Sequence, residues 1–472
     1  IEFDAIKTAK ANQIHLINKT VINQDFHSYC NTTLQRFDLV VGNPPYIRYQ
    51  YFDKSQQIEA DKIFKKAGLK YSKLTNAWVS FVVGASLLLK EKGKIGFVVP
   101  AELLQVSYAQ QLREFLAHFY NKINIISFEK LVIHDIQLEV VLLLCEKNSD
   151  TTHLIEHREL KDASDLEKLD VNLLKSPRKQ IDFKSNKWTY YFLEQEEIDF
   201  LENIAKRKNI PILGDFADVE VGITTGANSF FTVPSSTVRD FNLEQFARPL
   251  VGRSVQVNSV IFSERDWLQN QQTKAKANLL VFPDRKKIVN YIGANRYIAY
   301  GEEIGINNGY KTRIRDDWFV IPSIKLSDAF FVRRNNLFPR LILNEANTYT
   351  SDTMHRVFIK PQTDKRAFIA SFYNSLSLAF SEIVGRSYGG GVLELMPSEV
   401  TKIVLPYQES NSIFLDQLDI FMREKRNIYD ILSISNNIIL RDGYGLTKKE
   451  IELADRIWRK LSFRRLNRRG NK

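Results

Sequence analysis

An apolar run stopped by two prolines sets the frame for this chain: Phe37-Asp38-Leu39-Val40-Val41-Gly42-Asn43-Pro44-Pro45-Tyr46. Phe37 to Val41 predicts a short buried strand, with Gly42 and Asn43 as the turn residues that end it. Pro44 and Pro45 have no N–H to donate and fix φ, so regular structure stops there and the loop is stiff. Such a loop sits just past the carboxyl end of a strand. In an open α/β sheet that is where ligands bind.

The loop offers specific chemistry. The side-chain carbonyl of Asn43 and the backbone carbonyl of Pro44 are two acceptors at a fixed separation. An amine with two N–H bonds, such as N6 of adenine, can donate to both. Those bonds draw the nitrogen out of conjugation and aim its lone pair at an incoming methyl group. Tyr46 supplies an aromatic face on which a base can stack. The bland alternative for the tetrapeptide is a rigid turn with an exposed tyrosine.

Composition narrows the class. The hydrophobic share is 44% and the charged share 26% over 472 residues, as in soluble globular proteins of two to four domains. No apolar run reaches the ~18 residues that span a bilayer, so no membrane is expected. No signal-peptide pattern opens the chain, which begins with Ile1 and reads as a fragment or a product trimmed upstream. Cys30 and Cys145 are too few for a disulfide framework or a zinc site, and a reducing cytoplasm is expected. The net charge of +11 fits a polyanionic partner.

Along the chain, Ile1 to Phe3 reads as a strand end, Asp4 to Asn12 as a helix, and His15 to Asn23 as a strand that ends at Asp25-Phe26. Asn76 to Lys90 reads as an apolar helix stopped by Gly93, and Ile95 to Val99 as a strand ended by Pro100. Leu103 to Phe119 has amphipathic spacing. Ile123 to Phe128 and Leu138 to Cys145 read as strands that can pair antiparallel. The alternation implies an α/β, doubly wound, mainly parallel sheet. The expected organisation is a catalytic domain over residues 1–148, a polar extension and linker helix over 149–208, a mixed α+β domain over 209–410, and a basic helical tail over 411–472.

Taken in order, these stretches resemble the TaqI-type S-adenosylmethionine-dependent DNA adenine-N6 methyltransferases, whose sheet is Rossmann-like and whose target-recognition domain follows the catalytic one. The resemblance rests on Glu2 with Asp4-Ala5, Asp25-Phe26, Asn43 to Tyr46, Leu87 to Pro100, and the later Gly222-Ile223-Thr224-Thr225-Gly226-Ala227-Asn228 and Gly389-Gly390-Gly391. It implies that Glu2 holds the ribose hydroxyls of S-adenosylmethionine. Asp25 accepts from the cofactor's adenine amine, Phe26 packs on that ring, and Asn43 borders the site. It implies that Asn43, Pro44 and Tyr46 carry catalysis, with Pro45 and Ile133 against the substrate base. Two departures stand out. The glycine-rich loop that approaches the methionine part of the cofactor is absent. Ile133 occupies the slot where the family usually has a Phe, so a second π face would have to come from Phe128 or Trp78.

The implied function is N6 methylation of adenine in a specific double-stranded DNA sequence, by base flipping, within a restriction-modification or phage-defence system. A nuclease domain or restriction subunit upstream is a possible partner, and the setting is the prokaryotic cytoplasm, associated with the nucleoid. Arg248, Arg253, Arg313, Arg315, Trp318, Arg333, Arg334, Arg340 and Arg356 interleave charge with an aromatic in the later domain and are candidates for DNA contact. The basic tail could track phosphates or simply solubilise a helix end. Competing readings are a methyltransferase for RNA or protein glutamine, and a DNA-binding fragment that is inactive without its upstream part.

Overall fold

The computed structural model describes residues 22–72, 75–129, 139–174, 178–183, 187–388 and 390–467. It divides into two compact units, Ile1–Phe192 and Leu193–Lys472. The elements expected before residue 22 lie outside the described residues.

Among the described residues, the first unit is built on a six-stranded sheet. Its strands are β1 (Phe37–Gly42), β2 (Leu89–Pro100), β3 (Lys122–Phe128), β4 (Val140–Glu146), β5 (Leu154–Leu160) and β6 (Lys179–Gln180). The spatial order is β1-β2-β4-β3-β5-β6. β1 and β2 run parallel, as do β3 and β5, while β4 is inserted antiparallel between β2 and β3. The sheet is thus mainly parallel, and the expected antiparallel pairing of β3 with β4 is present. The helix Ala77–Leu87 is apolar all round because it is covered all round: Trp78, Val82 and Val83 are fully buried.

Several expectations change. β1 is an edge strand among the described residues, and Leu39 and Val41 are 59% and 68% exposed rather than buried. Gly93 does not stop the helix. The helix ends at Leu87, β2 starts at Leu89, and Gly93 lies where the β1–β2 register shifts. Residues 101–109 are two 3-10 turns, and only Gln110–Phe119 is α-helix. The buried Arg113 explains this: its guanidinium donates to the carbonyls of Leu103 and Val106 at 2.8 and 3.0 Å, which holds that segment out of α geometry. In the stretch read as a peripheral extension, β5 and β6 join the sheet. There Glu156 is buried against Lys179 at 3.0 Å, so charged residues conceal an inward-facing strand.

Among the described residues, the second unit holds a five-stranded sheet, a four-stranded sheet and a three-stranded sheet. Met354–Ile359 pairs antiparallel with both Ala329–Val332 and Ala217–Val221. A separate core gathers Phe230, Phe231, Phe246, Phe282, Tyr297, Trp318 and Phe319. Trp318 to Pro322 therefore supplies core side chains without forming a strand. Two helices, Lys365–Phe372 and Ser375–Val384, follow, broken where Asn374 caps the second by accepting from the Ser377 N–H. This bent pair is apolar enough to pass for a membrane span, yet its residues are nearly all buried. No single helix among the described residues is long and apolar enough to cross a membrane.

The terminal helix Lys448–Leu466 is not a free tail. Leu453, Ala454, Ile457, Trp458 and Leu461 are buried. Arg465 is fully buried and meets Glu382 through two bonds, at 3.0 and 2.6 Å.

Candidate active site

β1 places the Asn-Pro-Pro-Tyr loop. Gly42 is opposite Phe97 in the parallel β1–β2 pair, so residues 43–46 leave the carboxyl end of β1 beside the end of β2. Pro44 is buried and anchors the turn, Asn43 and Pro45 are exposed, and Tyr46 is half-buried. The chain is tied down just beyond, where the Ala77 N–H donates to the Ile47 carbonyl at 3.0 Å. The Tyr46 hydroxyl lies 2.8 Å from Asn43 Oδ1 and 3.0 Å from the Val98 carbonyl on β2. One proton therefore serves two acceptors. Burial pushes the Tyr46 hydroxyl up to about 12, so it stays a donor at neutral pH.

Asp25 ends no strand among the described residues; it is the N-cap of the helix Phe26–Thr32, with its carboxylate accepting from the Ser28 N–H at 3.0 Å. Its second oxygen accepts from Gln56 Nε2 at 3.1 Å. A carboxylate has about four acceptor positions, so capacity remains. Asp25 is 31% exposed at the side chain, which lets a ligand amine approach. Phe26 is stacked on Phe81 at 4.8 Å, which occupies one face of its ring.

His27 is buried behind Asp25: its Nε2 lies 2.8 Å from the Ser80 hydroxyl, which also reaches the Ala77 carbonyl at 2.7 Å, and its Nδ1 faces the Asp25 carboxylate at 3.8 Å. Burial lowers the His27 pKa, against the pull of Asp25.

Glu2 and Ile133 lie outside the described residues. Trp78 and Phe128 are buried, at 0% and 4% exposure, so neither offers an open second face for a base. The structure brings Asn43 and Tyr46 into direct contact. It also adds partners that carry no sequence signal: the Val98 carbonyl, Gln56 and His27. A backbone carbonyl has no residue-type signature, and Gln56 reaches Asp25 only because two helices pack together.

Comparison with known proteins agrees with this architecture. Residues 2–133 match the family model described as Eco57I restriction-modification methylase. Residues 185–440 match that described as Type II methyltransferase M.Eco57I, C-terminal domain. The chain is 24% identical over 398 residues to Type II methyltransferase M.AccI of Acinetobacter calcoaceticus, covering 82% of this chain and 71% of that protein. It is 26% identical over 202 residues to the restriction enzyme and methyltransferase RM.Eco57I of Escherichia coli, covering 42% of this chain but only 20% of that protein. Among solved structures, the Type IIL restriction-modification enzyme MmeI, determined in complex with DNA, shares the fold. Its TM-score is 0.52 at 11% identity, covering 92% of this chain and 55% of MmeI. With its C-terminal match alone spanning more than half of the 472 residues, the chain belongs to the Eco57I family of restriction-modification methyltransferases.

Proposed function

We propose that this chain transfers a methyl group from S-adenosylmethionine to N6 of adenine within a specific sequence of double-stranded DNA, acting in a restriction-modification or phage-defence system of the prokaryotic cytoplasm. A nuclease on the same or a partner polypeptide would complete such a system. The observation that carries the reading is the loop at the end of β1. Asn43 presents its carboxamide to solvent, and the neighbouring Pro44 carbonyl accepts no hydrogen bond among the described residues.

S-adenosylmethionine fits the residues present. Asp25 keeps acceptor positions for the adenine amine, and Phe26 stands beside it on a packed support. The cofactor supplies an electrophilic methyl on sulfonium sulfur. The protein's part is placement. Asn43 Oδ1 and the Pro44 carbonyl accept the two N–H bonds of the target amine, and the ring of Tyr46 stacks on the base. Extracting the base from a duplex costs a few kcal/mol, and stacking returns about 1–3 kcal/mol of it. Holding amine and methyl in line accounts for up to ~7–11 kcal/mol of barrier. No strongly perturbed base is needed, since the cationic amine formed loses its proton readily.

Asn43→Ala in the full-length protein should abolish transfer of tritiated methyl to duplex DNA while DNA binding persists. Sequencing of the modified product should find N6-methyladenine. Normal methylation by Asn43→Ala would remove the basis of the assignment.

A further inference from the structure

The second unit sorts its cations into those consumed internally and those left free. Arg333 and Arg334 both meet Glu394, at 3.0 and 3.1 Å, and Arg356 meets Glu220 at 3.0 Å. Arg340 donates to the carbonyls of Val257 and Ser254, and Arg315 to that of Thr225. In the terminal helix, Arg459 pairs with Asp455, Lys460 with Glu197, and Arg465 with Glu382. These charges have partners within the unit, and Lys460 and Arg465 tie the terminal helix to other elements.

Arg253 and Arg313, with Lys274, Lys276 and Lys311, are different. All five are exposed and none meets a carboxylate among the described residues. They also cluster. Arg253, Lys274 and Lys276 line a cleft of about 540 Å³ with Asn228, Ser229 and Gly252, and no acidic side chain lines it. Lys276 Nζ donates to the Ser229 carbonyl at 3.2 Å. On the far side of the same turn, Gly226 adopts φ +82°, and a Cβ there would stand 3.0 Å from Lys311 Cβ. The turn between the two groups is rigid. The Thr225 hydroxyl meets Asn228 Oδ1 at 2.6 Å, Asn228 Nδ2 donates to Asp352 at 2.9 Å, and Arg315 clamps the Thr225 carbonyl at 2.8 Å. Buried Thr312 pins the short helix Tyr310–Arg313 through the Ile306 and Gly309 carbonyls. Beside the cations stand Val255, Tyr310 and Ile314, exposed by 79%, 73% and 67%.

We propose that this strip, running from Arg253 through Lys274, Lys276 and the Gly226–Asn228 turn to Lys311 and Arg313, is the surface that binds the sugar-phosphate backbone of duplex DNA. The inference rests on the DNA reading above and adds where the DNA lies. Phosphates neutralise these cations without breaking an intramolecular ion pair, and binding releases condensed counterions. The exposed apolar side chains are placed for contacts with sugars or thymine methyls. The rigid turn, with a glycine nearest Lys311, allows close backbone approach.

The test is fluorescence anisotropy of a labelled mixed-sequence duplex with the full chain, from about 50 to 200 mM salt. Arg253→Gln/Lys274→Gln/Lys276→Gln should flatten the log–log salt slope by about 2.7, so that its affinity falls about 40-fold less than wild type over that range. Arg253→Gln/Lys311→Gln/Arg313→Gln, whose side chains make no internal bond among the described residues, should do the same with unfolding unchanged. The control Lys402→Gln/Lys448→Gln/Lys449→Gln, of equal charge change elsewhere on the unit, should keep the wild-type slope. Strip variants with the wild-type slope, or a control that flattens equally, would overturn the assignment of this surface alone. A wild-type chain with no salt-dependent duplex binding would instead overturn the DNA reading itself.

Discussion

Replacing Tyr46 with Phe removes one oxygen and leaves the ring, which separates two roles. The hydroxyl has a single proton for Asn43 Oδ1 and the Val98 carbonyl. A half-turn of the Asn43 carboxamide resolves the shortage. Nδ2–H then donates to the Tyr46 oxygen, the hydroxyl proton goes to Val98, and Oδ1 is released toward the target amine. The hydroxyl thus selects an amide orientation through one neutral hydrogen bond, worth about 0.5–1.5 kcal/mol, or about 2- to 13-fold in rate. Tyr46→Phe should lower single-turnover methyl transfer within that range and leave base flipping intact. Tyr46→Ala also loses the stacking face, about 1–3 kcal/mol or 5- to 160-fold, and that loss should appear in flipping. Single-turnover assays with tritiated cofactor give the first quantity, and 2-aminopurine fluorescence at the target position gives the second. A Phe variant at the wild-type rate would refute the orienting role. A Phe variant that loses flipping as fully as Ala would refute the division between ring and hydroxyl.

Other outcomes follow from burial. Glu382→Gln leaves the fully buried Arg465 guanidinium without its carboxylate, and should destabilise the second unit by about 3–5 kcal/mol, read as a lower urea midpoint; the double replacement Glu382→Leu/Arg465→Met should recover most of it. Gly222→Ala would place a Cβ 2.0 Å from the Ser351 carbonyl oxygen and 2.3 Å from that of Met354. Because both contacts are backbone, the loss should reach about 3 kcal/mol by thermal unfolding, and a wild-type Tm would contradict the packing. Tyr46 titrates at about 12 when folded, above the ordinary value of 10. Its raised value contributes stability that is complete below pH 10 and is lost as pH rises toward 12. Wild type should therefore weaken more than Tyr46→Phe across that window in denaturant titrations.

What the sequence could reveal of the fold was what depends on local backbone chemistry. Gly42, Pro44 and Pro45 restrict the chain whatever surrounds them, so the end of β1 and the stiff loop were readable. Alternating apolar runs located β2, β3 and β4. What failed needed tertiary information. The exposure of Leu39 and Val41 depends on which strand lies beside β1. The 3-10 segment before Gln110 is held by Arg113, a residue that in sequence looks like a surface charge. β5 escaped notice because Glu156 and Lys179 neutralise each other inside the unit, and polarity alone suggested a linker.

The same division applies to the site, and it explains why the two halves of the proposed function stand on different footing. Gripping an amine needs two carbonyls at fixed separation, and four consecutive residues encode that geometry. Gripping DNA needs cations with nothing else to do. Whether an arginine is free is a property of its neighbours: Arg333 and Arg253 look equivalent in the sequence, yet one is held by Glu394 and the other faces an acid-free cleft. Sequence patterning also does not mark which arginines are paired: Arg334 and Arg356, inside β-rich stretches, each have a glutamate on the neighbouring strand. The three lysines that complete the strip lie in or beside turns and a short helix, where no periodicity marks them. The placement proposed for catalysis is therefore written in the chain locally, whereas the proposed binding surface is what remains after the fold has paired the other charges.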